Sequence, residues 1–138
     1  MTLPQLDDLR DAAAIVHRSL PPTPLIRWPL VCERTGAEAW IKHENHSPVG
    51  AFKLRGGLVY MERLRRDQPR VSGVIAATRG NHGQSVAFAA ARSGLRAVIV
   101  APRGNSREKN AAMRALGAEL WERGEDFQEA YEEAVGHQ

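Results

Sequence analysis

The chain has 138 residues, a formal net charge of +3, 43% hydrophobic residues and 25% charged residues, the proportions of an ordinary globular domain rather than a disordered or fibrous chain. The basic excess is small. Its densest group, Arg63, Arg65 and Arg66, is interleaved on a helical stretch, so a solvated helix face explains it and no nucleic-acid partner is expected. The lone Cys32 makes neither an internal disulfide nor a thiolate metal cluster. The start M-T-L-P-Q-L-D-D-L-R-D lacks the apolar core of a signal peptide, and no stretch approaches the ~18 apolar residues of a membrane span. These features predict a soluble, cytoplasmic protein with no membrane partner.

In chain order, Leu6, Leu9, Ala13 and Val16 recur at helical spacing and predict a helix within 3–19. P-P-T-P-L at 21–25 ends it, because proline lacks an amide and disfavours a helical residue before it. A short strand is expected over 25–28, a short helix over 30–34 stopped by Gly36, and a strand over 38–44. The loop 45–51 leads into a helix over about 52–66. From residue 73 the pattern turns regular: strand 73–77, helix 81–92, strand 96–101, helix 106–116 with Ser106 as its N-cap, strand 118–122, and helix 126–135. Strand–helix alternation with short connections predicts a parallel sheet covered by helices. A division near residue 70 is expected, with 73–138 the better packed part, three parallel strands with helices around them. Residues 1–70, with too few strands for a sheet of their own, should leave parts of Trp28, Val31 and Leu54 exposed.

Two stretches carry chemistry. In S-P-V-G-A-F-K-L-R-G-G, residues 47–57, Lys53 stands among Gly50, Ala51, Gly56 and Gly57. Read alone, it is a solvated lysine in a glycine loop. A buried amine, however, has a lowered pKa and can form a Schiff base with an aldehyde, and the small neighbours leave room for a flat ring. In T-R-G-N-H-G-Q-S, Thr78–Ser85, a strand ends and a helix opens. The carboxyl ends of parallel strands are the usual ligand side, and the unpaired amides of a helix N-terminus suit a carboxylate or phosphate. Glycine there also serves plain turn chemistry. Asn81 could hydrogen-bond a phenolic oxygen on a ring held by Lys53.

Other motifs fail. There is no phosphate-binding loop of the nucleoside triphosphatase kind and no dinucleotide fingerprint. His43 and His46 lack the further ligands of a metal site, so no metal is expected.

The two stretches, E-N-H-S-P-V-G-A-F-K-L-R-G-G followed by A-T-R-G-N-H-G-Q-S, together with T-P-L at 23–25, resemble the pyridoxal-phosphate enzymes of fold type II, in the threonine/serine dehydratase (ammonia-lyase) group. Cysteine synthases differ around the lysine. The resemblance implies an α/β fold, a three-layer arrangement about a parallel sheet of the tryptophan synthase beta-like kind, here incomplete. It implies that residues 1–70 belong to the larger, cofactor-binding domain and residues 71–138 to most of the smaller substrate domain. It implies pyridoxal 5'-phosphate as cofactor, Lys53 as the catalytic lysine that carries it, Phe52 against it and Asn81 on its ring oxygen. The turn Thr78, Arg79, Gly80, Asn81 and His82 would receive the substrate carboxylate. Arg79 departs from the serine common in that family, and either pairs with that carboxylate or points away. The implied reaction converts L-threonine or L-serine to a 2-oxo acid and ammonia. A racemase or another β-eliminating lyase of this fold is the alternative, as is a truncated, non-catalytic piece. A homo-oligomer is implied for a full-length form. In that family the glycine-rich loop for the cofactor phosphate comes later in the chain, and Gly117, Gly124 and Gly136 make no such loop.

Overall fold

The computed structural model describes residues 3–137. It begins with helix α1 (Leu6–His17), strand β1 (Leu25–Arg27), helix α2 (Pro29–Thr35) and strand β2 (Trp40–Lys42). Strands β1 and β2 pair antiparallel, Ile26 opposite Ile41. They are shorter than expected and form a two-stranded pair of their own.

After a single 3-10 turn (Glu44–His46) comes helix α3 (Lys53–Asp67), followed by β3 (Gly73–Ala77), α4 (Asn81–Arg92), β4 (Arg96–Ala101), α5 (Arg107–Ala115), β5 (Glu119–Glu122) and α6 (Phe127–Gly136). The strands lie in the order β3-β4-β5, all parallel. Ser106 and Asp126 cap α5 and α6, each side chain accepting an amide hydrogen bond from three residues on.

Alternation along the strands builds the layers. Val74, Ala76, Ala97, Ile99 and Leu120 face a core shared with α1, α3, α4 and α5. Ile75, Ala77, Val100 and Trp121 face the other way, onto Ala130 and Ala134 of α6. A period of two in side-chain direction thus sends each strand's apolar residues to both faces, and helices must cover both.

The larger core does not stop at residue 70. Leu54, Leu58 and Met61 of α3 are buried among Val86, Ala89 and Ala90 of α4. The expected exposure of Leu54 is therefore corrected: it is fully buried, because the apolar face of α3 is covered by α4 within a core that α1 also joins. Trp28 is exposed as expected, and so are Leu25, Ile26, Leu30, Trp40 and Ile41 around the β1–β2 pair. No helix among the described residues is long and apolar enough to cross a membrane.

Candidate active site

Lys53 is the first residue of α3. The loop before it turns at Gly50, whose φ of 63° lies in the left-handed region that glycine enters without steric cost. The Gly50 amide donates to the Ser47 carbonyl at 2.9 Å, and the Ala51 amide donates to Ser47 Oγ at 3.0 Å. Two residues beyond the lysine, Arg55 anchors the start of the helix. Its Nε and Nη2 donate to the Glu44 carboxylate at 2.9 and 3.0 Å, and Thr23 Oγ1 donates to the same carboxylate at 2.6 Å. The Arg55 hydrogen bonds, before any other cause, hold the Glu44 pKa below the ordinary carboxylate value. The T-P-L segment, the 3-10 turn and α3 thereby meet at one half-buried ion pair.

The lysine borders a groove of about 1140 Å³, with Phe52, Gly56, Tyr60, His82 and Ser85 along its lining and the outer side of β3 beyond. The space exceeds the ~300–1,000 Å³ of a closed small-molecule pocket, so this is an open groove. Both Lys53 and Phe52 are exposed to it. Gly56 has open space where a side chain would begin, room that a flat ring could use. Gly57 does not: its missing side chain is replaced by Ser85, which packs against its Cα.

The second stretch forms the β3–α4 connection. Thr78 is buried, and its Oγ1 accepts from the amides of Gly80 and Gly83 at 3.2 and 3.3 Å. Those two amides are thus engaged within the turn. The amides of Asn81 and His82, in the first helical turn, have no intrahelical acceptor and remain as the donors that could meet an anion. Thr78, with both incoming hydrogen bonds on its oxygen, keeps its hydroxyl proton to donate.

The groove brings Lys53 together with His82, whereas Thr78, Arg79, Gly80 and Asn81 sit on the adjoining turn outside its lining. Neighbouring residues at a helix start point about 100° apart, so Asn81 and His82 cannot share one direction. His82 is exposed, yet desolvation by the surrounding protein and, second, the nearby Lys53 charge push its pKa below the ordinary histidine value. Arg79 is exposed, and among the described residues its guanidinium has no hydrogen-bond or ion-pair partner. Sequence reasoning assigned no role to Glu44, Arg55 or Ser85. Ser85 ends the quoted T-R-G-N-H-G-Q-S stretch, but nothing in sequence says that its hydroxyl reaches α3. No group of three or more histidine, cysteine or acidic residues that could hold a metal occurs among the described residues.

Among the described residues, then, this α/β sheet carries a lysine without a side-chain partner at the start of α3, across a groove from His82 in the first turn of α4. The family model for pyridoxal-phosphate dependent enzymes matches residues 16–137, and the chain belongs to that family. It is 39% identical over 120 residues to the biosynthetic L-threonine dehydratase IlvA of Haemophilus influenzae, covering 87% of this chain and 23% of that protein. The processed form of threonine deaminase isoform 2 from Solanum lycopersicum superposes with a TM-score of 0.79 at 33% identity, over 97% of this chain and 40% of its own. A pyridoxal 5'-phosphate-dependent aspartate racemase gives a TM-score of 0.87 at 27% identity, over 97% of this chain and 43% of its own. The chain thus spans about a quarter of the curated relative and less than half of the solved structures.

Proposed function

We propose that this chain carries the reactive lysine and the carboxylate-binding turn of a pyridoxal-phosphate-dependent ammonia-lyase acting on L-threonine or L-serine. The observation that carries the reading is Lys53, which has no side-chain partner among the described residues and is exposed to a groove beside the free amides of α4. The residues present suit the reactive end of the cofactor: a free primary amine, the Phe52 ring, and open space at Gly56. Bound pyridoxal 5'-phosphate supplies an aldehyde that takes up amines and a ring that draws electrons from the α-carbon. Lys53 would hold it through its amine and would serve as the base for the α-proton. Asn81, on the turn adjoining the groove, would reach the ring oxygen from its edge. The Asn81 and His82 amides, with the Thr78 hydroxyl, hold the substrate carboxylate, and Arg79 adds charge there. Gly80 shapes the turn. Residues 1–70 form the cofactor part and 71–138 the substrate part, in a cytoplasmic protein that assembles as a homo-oligomer at its relatives' length.

The test is release of ammonia and 2-oxo acid from L-threonine and L-serine by the whole gene product, beside Lys53→Ala. Alanine can neither hold the cofactor nor move a proton, so activity should vanish. Undiminished ammonia release by the variant would contradict the reading. The backbone likeness to aspartate racemase favours a second reading, an amino-acid racemase. That enzyme would invert its substrate at the α-carbon without releasing ammonia.

A further inference from the structure

We infer that Ser85 is a positioning residue for Lys53, its buried hydroxyl fastening the first turn of α3 to α4. The geometry stands by itself; its consequence for catalysis rests on the functional reading above. Ser85 is 1% exposed. Its Oγ donates to the carbonyl oxygen of Lys53 at 2.8 Å, a bond between residues 32 positions apart. Glycine at position 57 makes this possible. A Cβ there would lie 2.5 Å from Ser85 Oγ, 3.2 Å from the Ser85 carbonyl oxygen and 3.4 Å from the Ala89 side chain. The two helices therefore touch backbone to backbone beside the lysine.

The α-helical ladder already offers the Lys53 carbonyl the amide four residues on. The serine hydroxyl occupies the second lone pair, so helix formation does not require it. What the bond adds is a fixed distance. The helix bearing the amine is tied, one turn past His82, to the helix bearing the carboxylate-binding amides. Productive sites need such groups held within about 0.5 Å. Without the hydroxyl, the first turn of α3 can shift against α4, and Lys53 moves relative to His82.

NMR titration of the histidine rings tests this without any cofactor. His82 is the reporter, and His17, His43, His46 and His137 are internal controls. Lys53 is the charged group that acts on His82, from the packed helix α3. Lys53→Met should therefore raise the His82 midpoint. Ser85→Ala should raise it in the same direction by a smaller amount, leave the other histidines where they are, and add nothing in the Lys53→Met background. Ser85→Thr, which keeps the hydroxyl, should titrate like the original. Should Ser85→Ala fail to fold, Gly57→Ala displaces the hydroxyl from the other side and should move His82 the same way. The proposal is overturned if Lys53→Met leaves His82 unmoved. It is equally overturned if neither Ser85→Ala nor Gly57→Ala shifts His82, or if the Ser85→Ala shift persists undiminished without Lys53. Borohydride trapping of pyridoxal 5'-phosphate on the same samples reads the functional assignment separately. A coupled His82 with no label on Lys53 would refute that assignment and leave the positioning intact.

Discussion

Glu44 and Arg55 show how much of the site depends on side chains that carry no chemistry. Their side chains are 18% and 25% exposed, and three hydrogen bonds converge on the one carboxylate. Glu44→Gln should cost about 1–3 kcal/mol in urea unfolding, since hydrogen bonds to a charged group are lost at a half-buried pair. The pH dependence has a definite sign. Glu44 has a folded-state pKa below its unfolded one. Its contribution is complete above the ordinary glutamate value of about 4.3 and disappears as pH falls through the lowered folded value. Urea midpoints should fall in that window for the original chain, and Glu44→Gln should flatten the fall. Arg79→Ser, at an unpaired guanidinium, should leave stability unchanged. Under the proposed function it should weaken apparent substrate affinity by about 1–3 kcal/mol with little change in cofactor attachment. Lys53 could be singled out in sequence because small residues crowd around a long cation. The Glu44–Arg55 pair could not, because glutamate and arginine eleven positions apart are everywhere in soluble chains and meet only through the loop between them.

At the scale of elements, β3, α4 and β4 fall on the residues that the apolar runs and their glycine stops indicate. They do so because a strand buried on both faces is apolar throughout and its neighbours end sharply. The first half carries a weaker pattern. Strands β1 and β2 are three residues each with every residue exposed, so no alternation marks them, and Glu38–Glu44 read as longer than the paired segment. The β3–α4 connection is held by Gly83, where an added Cβ would lie 2.5 Å from Thr78 Cγ2 and 3.3 Å from Ile99 Cγ2 and would also press on Met113 Sδ. Gly83→Ala should thus destabilise by about 1–3 kcal/mol through overpacking, measured by thermal unfolding. Because Thr78 takes the Gly83 amide, the same change should disturb anion binding at the turn.

For the whole molecule, the sequence suggested two parts divided near residue 70, and the packing shows one core running through α1, α3, α4 and the inner face of the sheet. Periodicity marks which face of α3 is apolar but not which helix it will meet. The exposed Trp28, Leu30, Trp40 and Ile41 form apolar surface of the kind that marks a partner or covering segment. The groove is open to solvent and would shield little from water, so the 138-residue chain alone should release no ammonia from L-threonine. Ammonia release lost on Lys53→Ala would show instead that these residues suffice. Whether Lys53 is the cofactor lysine is decided by incubating the chain with pyridoxal 5'-phosphate, reducing with borohydride and mapping the labelled peptides. The chain has three lysines. Lys42 donates to the Thr23 carbonyl at 3.1 Å, and the Lys109 stem packs against Gly80, so both serve as controls in the same tube. Lys53 should carry the largest share of the label; label spread evenly over the three lysines, or concentrated on Lys42 or Lys109, would show that it is not the cofactor lysine.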